Sequence, residues 1–173
     1  EDITLSVIEY VQGKHLSITF DTEVEELEMA CDVEKIERIM LNLLSNAVKY
    51  SAEGESITLA LYRDDKRWGF HVKDNGIGIS EEERRKLFKQ FFRGANAINA
   101  KIAGSGIGLL SIGRYVKHMQ GIIEVKSQIN GGSDFHVSFP LGKEHYDRHS
   151  VEFVETPSIP MPTPLCWSIW TFW

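Results

Sequence analysis

Ile36-Glu37-Arg38-Ile39-Met40-Leu41-Asn42-Leu43-Leu44-Ser45-Asn46-Ala47-Val48-Lys49-Tyr50-Ser51 is the stretch on which the fold turns. Stepped at about 100° per residue, Ile36, Ile39, Met40, Leu43, Leu44 and Ala47 gather on one broad face, while Arg38, Asn42, Ser45, Asn46 and Lys49 lie opposite. This is a helix with one buried stripe, and Asp32 just ahead of it has the short acceptor side chain of an N-cap. The polar face is unusual. Asparagine is a poor helix-interior residue because its amide competes for backbone hydrogen bonds, yet two stand one turn apart. An Asn oxygen can ligate a hard cation, and Lys49, one turn further on, carries a charge suited to phosphate. A merely solvated face is the competing reading, and this stretch alone leaves both open.

Outward from the helix, patterns of period two take over. Upstream, Leu16, Ile18 and Phe20 alternate in a strand over residues 15–22, and residues 25–31 predict a turn and a short second strand. Before them, Ile3, Leu5, Val7, Ile8 and Val11 have the spacing of a short opening helix that stops near Gly13. Downstream, Ile57, Leu59 and Leu61 alternate, Asp64-Asp65-Lys66 turns the chain, and Trp68, Phe70 and Val72 share the face of a second hairpin strand. That strand runs into Asp74-Asn75-Gly76-Ile77-Gly78-Ile79, whose glycines let the backbone turn sharply against a ligand. Ser80 with Glu83 three residues on predicts a capping box, opening a helix through Leu87 and Phe88 to Phe91-Phe92. Residues 94–104 are small, weakly patterned and bracketed by glycine, which reads as a mobile segment. Gly104-Ser105-Gly106-Ile107-Gly108-Leu109 then opens a helix with Leu109, Ile112, Val116 and Met119 on one side. Gly113 marks close packing inside it, since glycine there costs about 1 kcal/mol against alanine, and Gly121 ends it. Two more strands, 122–127 and 134–139, are joined by the Asn130-Gly131-Gly132 turn.

The chain has 173 residues, 42% hydrophobic and 25% charged, which predicts one α/β core with a tail. A net charge of -6 argues against the broad basic surface that nucleic acid or anionic membrane would need. Cys31 and Cys166 form no spaced framework and no zinc pattern, which points to a reducing compartment. No run approaches the roughly 18 apolar residues of a membrane helix. The start at Glu1, without a signal peptide or initiator Met, reads as a piece of a longer protein. The expected units are residues 1–141 and a tail, 142–173, punctuated by Pro157, Pro160, Pro162 and Pro164 and ending in a Trp-rich run with no evident chemistry.

Three local signals point at one ligand. A glycine-rich turn entering a helix offers free amides and the positive end of a macrodipole, which bind phosphate, and residues 104–109 have that arrangement. They are not a Walker A loop, since no Gly-Lys-Ser/Thr follows, nor a dinucleotide fingerprint, since the preceding segment is not a strand. The Asp74 carboxylate, at a strand end beside a flexible loop, can accept a hydrogen bond from an exocyclic amine such as that of adenine.

In order and wording these segments resemble the ATP-binding catalytic domain of sensor histidine kinases, within the Bergerat-fold superfamily that also holds type II topoisomerases, a chaperone ATPase and mismatch-repair proteins. The resemblance covers about Leu16 to Leu141. It rests on an N box, Asn42-Leu43-Leu44-Ser45-Asn46-Ala47-Val48-Lys49-Tyr50, and a G1 box, Asp74-Asn75-Gly76-Ile77-Gly78. An F box, Phe88-Lys89-Gln90-Phe91-Phe92-Arg93, and a G2 box, Gly104-Ser105-Gly106-Ile107-Gly108-Leu109, complete it, with Gly131-Gly132-Ser133-Asp134-Phe135 as a degenerate third glycine box. The implied fold is a two-layer α/β sandwich, a mixed, mostly antiparallel sheet with helices on one face and a mobile ATP lid.

The resemblance implies that Asn46 ligates magnesium, that Asn42 supports that site, and that Lys49 meets a phosphate. Tyr50 would pack near the base or ribose and Asp74 would read the adenine amine. Gly76, Gly78 and Ile79 would form the loop under the base, and Gly104, Gly106, Gly108 and Leu109 would anchor lid and triphosphate. Arg93 would approach the terminal phosphate, with a plain surface cation as the competing reading. The phenylalanines of the F box are read as lid-supporting core. Arg38 departs from the family, which commonly has Glu or Gln there. Hydrolytic members place a glutamate where this chain has Asn42, which cannot take a proton. The expected reaction is therefore transfer of the γ-phosphoryl from Mg-ATP to a histidine on a separate dimerisation domain. No histidine here has the setting of that acceptor, so autophosphorylation by the chain alone is not expected. The resemblance further implies a downstream receiver domain, a homodimer only in the parent protein, and a cytoplasmic position beneath a membrane anchor. The alternatives are a non-catalytic nucleotide sensor and an ATP hydrolase.

Overall fold

The computed structural model describes residues 15–22, 29–89, 107–144 and 146. A five-stranded sheet is built from β1 (Ser17–Thr22), β2 (Ser56–Arg63), β3 (Arg67–Asp74), β4 (Ile122–Ser127) and β5 (Ser133–Pro140), in the order β1-β2-β3-β5-β4. Helix α1 (Val33–Tyr50) joins β1 to β2 in parallel, and every other pairing is antiparallel. A short α2 (Glu81–Arg84) and α3 (Ile107–His118) complete the described elements. No helix among the described residues is long and apolar enough to cross a membrane.

The period-two pattern decides which side chains meet the helices. Trp68, Phe70 and Val72 on β3, Phe135, Val137 and Phe139 on β5, and Ile57 and Leu59 on β2 are buried against Ile39, Leu43, Leu44, Ala47 and Val48 of α1 and Ile112 and Val116 of α3. Full burial of side chains this size contributes roughly 1.5–3 kcal/mol each, so this two-layer seam holds the domain together. The same alternation carries Asp74, last residue of β3, to the core side, and His71 and Lys73 to the other.

Both predicted caps are present. Asp32 Oδ1 accepts from the Lys35 amide at 3.0 Å, and Ser80 and Glu83 form a reciprocal capping box. Gly113 is a close-packing site, since a Cβ there would lie 3.0 Å from Cβ of Phe88. The end of α3 differs in detail from the expectation of a glycine stop. Gln120 takes the left-handed conformation, with φ 54°, and its amide and that of Gly121 close onto the carbonyls of Lys117 and Val116. Gly121 is needed for space, as a Cβ would meet the Phe139 ring at 2.7 Å.

Two expectations are corrected. The helix after Ser80 ends at Arg84 rather than running to Phe92, and the chain continues with i→i+3 bonds such as Lys86 N to Glu83 O at 2.9 Å. Residues 81–86 are all charged and α2 buries none of its residues, so no apolar stripe holds a longer helix in place. Residues 29–31 form no strand. They feed directly into α1, and β1 takes β2 as its described partner. The opening helix, residues 25–28, residues 94–104, Phe91, Phe92 and the Pro-rich tail lie outside the described residues.

Candidate functional site

The site begins where β3 stops. Asp74 is 5% exposed, and its Oδ1 accepts two backbone hydrogen bonds, from Gly76 at 2.9 Å and Ser133 at 3.2 Å. Its Oδ2 has no hydrogen-bond partner among the described residues. Burial pushes the carboxyl up to about 6, against the lowering effect of the two amides. At neutral pH it is an ionised acceptor with one oxygen committed and one available.

The loop that follows is held on two sides. Towards α1, the Ile77 amide donates to the Tyr50 carbonyl at 3.2 Å, and a Cβ on Gly76 would come within 2.3 Å of that oxygen. Towards the β4–β5 turn, the Asn130 amide donates to Ile77 O at 2.9 Å and the Gly132 amide to Gly76 O at 3.0 Å. Gly78 has φ +66° and lies so close to Gln128 that a Cβ would sit 1.8 Å from its carbonyl oxygen. Ser127 fastens the corner: its Oγ accepts from the Ile79 amide at 2.8 Å and donates to Gly132 O at 2.7 Å, while Ser133 Oγ stands 3.0 Å away. Ser127 and Ser133 were not among the predicted site residues. Ser133 lies within the degenerate glycine box at 131–135, which buttresses the Asp74 loop, whereas Ser127, at the end of β4, lies outside that box.

Helix α1 contributes the other wall. Asn42 Nδ2 donates to Arg38 O at 2.7 Å, and its Oδ1 would be 2.9 Å from a Cβ on Gly108, so the start of α3 approaches this face because residue 108 has no side chain. Asn46 is half-buried, and its side chain makes no hydrogen bond with any described residue. The Lys49 ammonium lies 5.4 Å from the centre of the Tyr50 ring. At 1.5 Å rise per residue, Asn46 is about 6 Å along the axis from both Asn42 and Tyr50. One helix face thus meets Gly108 near one end and the Asp74 loop at the other. Arg38, one turn before Asn42, is exposed, and its guanidinium lies 3.9 Å from Glu34 a further turn back. Ile79 and Leu109 pack against the hydrophobic core. Arg93, Gly104 and Gly106 lie outside the described residues. A separate cleft of about 350 Å³ between residues 81–89 and β4 contains none of the predicted site residues.

The chain is similar to known proteins in both sequence and fold. The chain matches the family described as Histidine kinase-, DNA gyrase B-, and HSP90-like ATPase over residues 31–143. It is 36% identical over 149 residues to histidine kinase P4 of Formosa agariphila, which takes in 84% of this chain and 11% of that protein. The chain therefore spans about a tenth of that relative's length. A mycobacterial sensor histidine kinase, MprB, superposes with a TM-score of 0.67 at 25% identity, covering 80% of this chain and 91% of that one. Full-length ShkA, in complex with AMPPNP, gives a TM-score of 0.70 at 23% identity, covering 81% of this chain and 28% of that one.

Proposed function

Because the chain belongs to the family of histidine kinase-, DNA gyrase B- and HSP90-like ATPases and has the Bergerat fold, we propose that it binds Mg-ATP along the polar face of α1 and donates the γ-phosphoryl group to a histidine on a separate dimerisation domain. One observation carries this reading. A buried, ionised carboxylate has one oxygen tied to two amides and the other without a described partner, beside a loop too tight for side chains. An exocyclic amine supplies the donor that such an oxygen lacks.

In this reading Asp74 Oδ2 accepts from the adenine amine, Gly76 and Gly78 let the base lie against backbone, with Ile79 behind them, and Tyr50 packs beside base or ribose. Asn46 fits a magnesium ligand, because its side-chain oxygen is not engaged by any described residue and is a hard donor. Magnesium there would offset phosphate charge. Asn42 supports it, Lys49 meets a phosphate, and Gly104, Gly106, Gly108 and Leu109 anchor the lid over the triphosphate, with Arg93 at its end. Asn42 has no proton-accepting group, and its amide already donates to Arg38 O. Water is therefore left without a base at that place, which favours transfer to an external nucleophile positioned in line. The acceptor histidine, the receiver domain and any membrane anchor belong to the parent protein in this reading, in which the homodimer also forms.

The test mixes the chain with a matched histidine-bearing dimerisation domain and ATP labelled at the γ-phosphate. Label on the added domain, none on the chain alone, and little phosphate release are expected. Steady phosphate release, or nucleotide binding with no transfer to any matched domain, would replace the kinase reading with a hydrolase or a sensor.

A further inference from the structure

On the sheet face away from the helices, β3 and β5 place His71 directly opposite His136, with Asp134 two residues before His136 on the same side. The two imidazoles stack with centres 4.8 Å apart and planes 9° from parallel. Asp134 stands between them: Oδ1 is 2.9 Å from His71 Nδ1, and Oδ2 is 3.0 Å from His136 Nε2. The register partners of Asp134 are Lys73 and Lys126, yet neither forms an ion pair with it among the described residues. His136 Nε2 is buried and, despite its distance from the carboxylate, lacks the geometry of a hydrogen bond to any described group. The stack therefore keeps a buried nitrogen near an oxygen it does not bond, an arrangement that direct pairing leaves unsatisfied and a shared cation resolves.

We propose that His71, Asp134 and His136 form a binding site for a divalent transition-metal ion of the zinc class, independent of the nucleotide site. One ligand atom from each residue falls within 4.8 Å of the other two. A tetrahedral ion with Zn–N and Zn–O bonds of about 2.0–2.2 Å sets its ligand atoms roughly 3.3–3.6 Å apart, so the carboxylate–imidazole separations of 2.9 and 3.0 Å would open slightly and the two imidazole nitrogens would turn towards a common point, leaving a fourth position for water. Two imidazoles and one carboxylate suit zinc, nickel or copper and discriminate against magnesium, which takes oxygen ligands. The two metal preferences of the chain are thereby sorted: Asn46 offers oxygen, and the opposite sheet face offers nitrogen. Bound there, the ion ties β3 to β5 beside the Ser133 amide that holds Asp74.

The test titrates the whole chain with zinc chloride by calorimetry, in the presence of millimolar magnesium, for wild type, His71→Gln and His136→Gln. One saturable site is expected, unaffected by magnesium, with affinity reduced in each variant by more than the roughly 10- to 100-fold that loss of a merely supporting residue costs. His15, His118, His145 and His149 remain in both variants, so binding that persists unchanged would overturn the proposal by assigning the ion to them. Absence of saturable zinc binding by wild type, or its displacement by magnesium, would also overturn it. Circular dichroism of each variant checks the fold, and histidine ring NMR of the unmutated chain gives an independent readout, with His71 and His136 expected to shift on adding zinc.

Discussion

Asp74 and Asp134 stand on adjacent strands, one register step apart, and face opposite sides of the same sheet. Asp74 looks into the helix layer, where backbone amides hold one oxygen and burial raises its proton affinity to about pH 6. Asp134 looks outward and divides its two oxygens between two imidazoles. The difference teaches that the surroundings of a carboxylate here are set by strand phase: a slip of one residue would exchange the buried, amide-held carboxylate for the outward one beside two imidazoles.

The largest break in this comparison is expected from Phe70→Ala. Phe70 is fully buried between the two layers, and truncation should cost about 3–5 kcal/mol, measured by urea unfolding, with both faces lost together. Asp74→Asn sharpens the contrast through pH. The folded carboxyl keeps its proton up to about pH 6, whereas the unfolded one releases it near 3.8, so the contribution of this group to stability is fullest below 3.8 and is lost as pH rises to about 6. The fall is on the order of 3 kcal/mol, and it should vanish in Asp74→Asn, whose amide oxygen can still accept from Gly76 and Ser133. The smallest effect belongs to Arg38→Ala. Its ion pair with Glu34 is exposed, so stability should change by less than about 0.5 kcal/mol and nucleotide affinity by less than roughly twofold.

Much of this was legible before any coordinates, for identifiable reasons. The stripe of α1, its Asp32 cap and the β2–β3 and β4–β5 hairpins follow from local periodicity and turn residues, which act over a few positions. The position of Asp74 at a strand end was likewise readable. Its surroundings were not, because Ser133 lies 59 residues from Asp74 and Ser127 lies 48 from Ile79, and they reach the loop only through the β3–β5 and β4–β5 registers. The short α2 was misread for a related reason: Ser80 and Glu83 signal a start, but persistence depends on packing that residues 81–86 cannot provide. His71, Asp134 and His136 are unremarkable singly, and they become a cluster only when alternation and register are both known.

The central claim is that Asp74 presents an acceptor to an adenine amine, and calorimetric titration with ADP compares Asp74→Asn and Asp134→Asn with wild type most directly. Asp74→Asn should weaken ADP binding by roughly 10- to 100-fold, the loss of a hydrogen bond to a charged group, while Asp134→Asn stays within about threefold. Equal affinities in wild type and Asp74→Asn, or an equal loss in both variants, would contradict it.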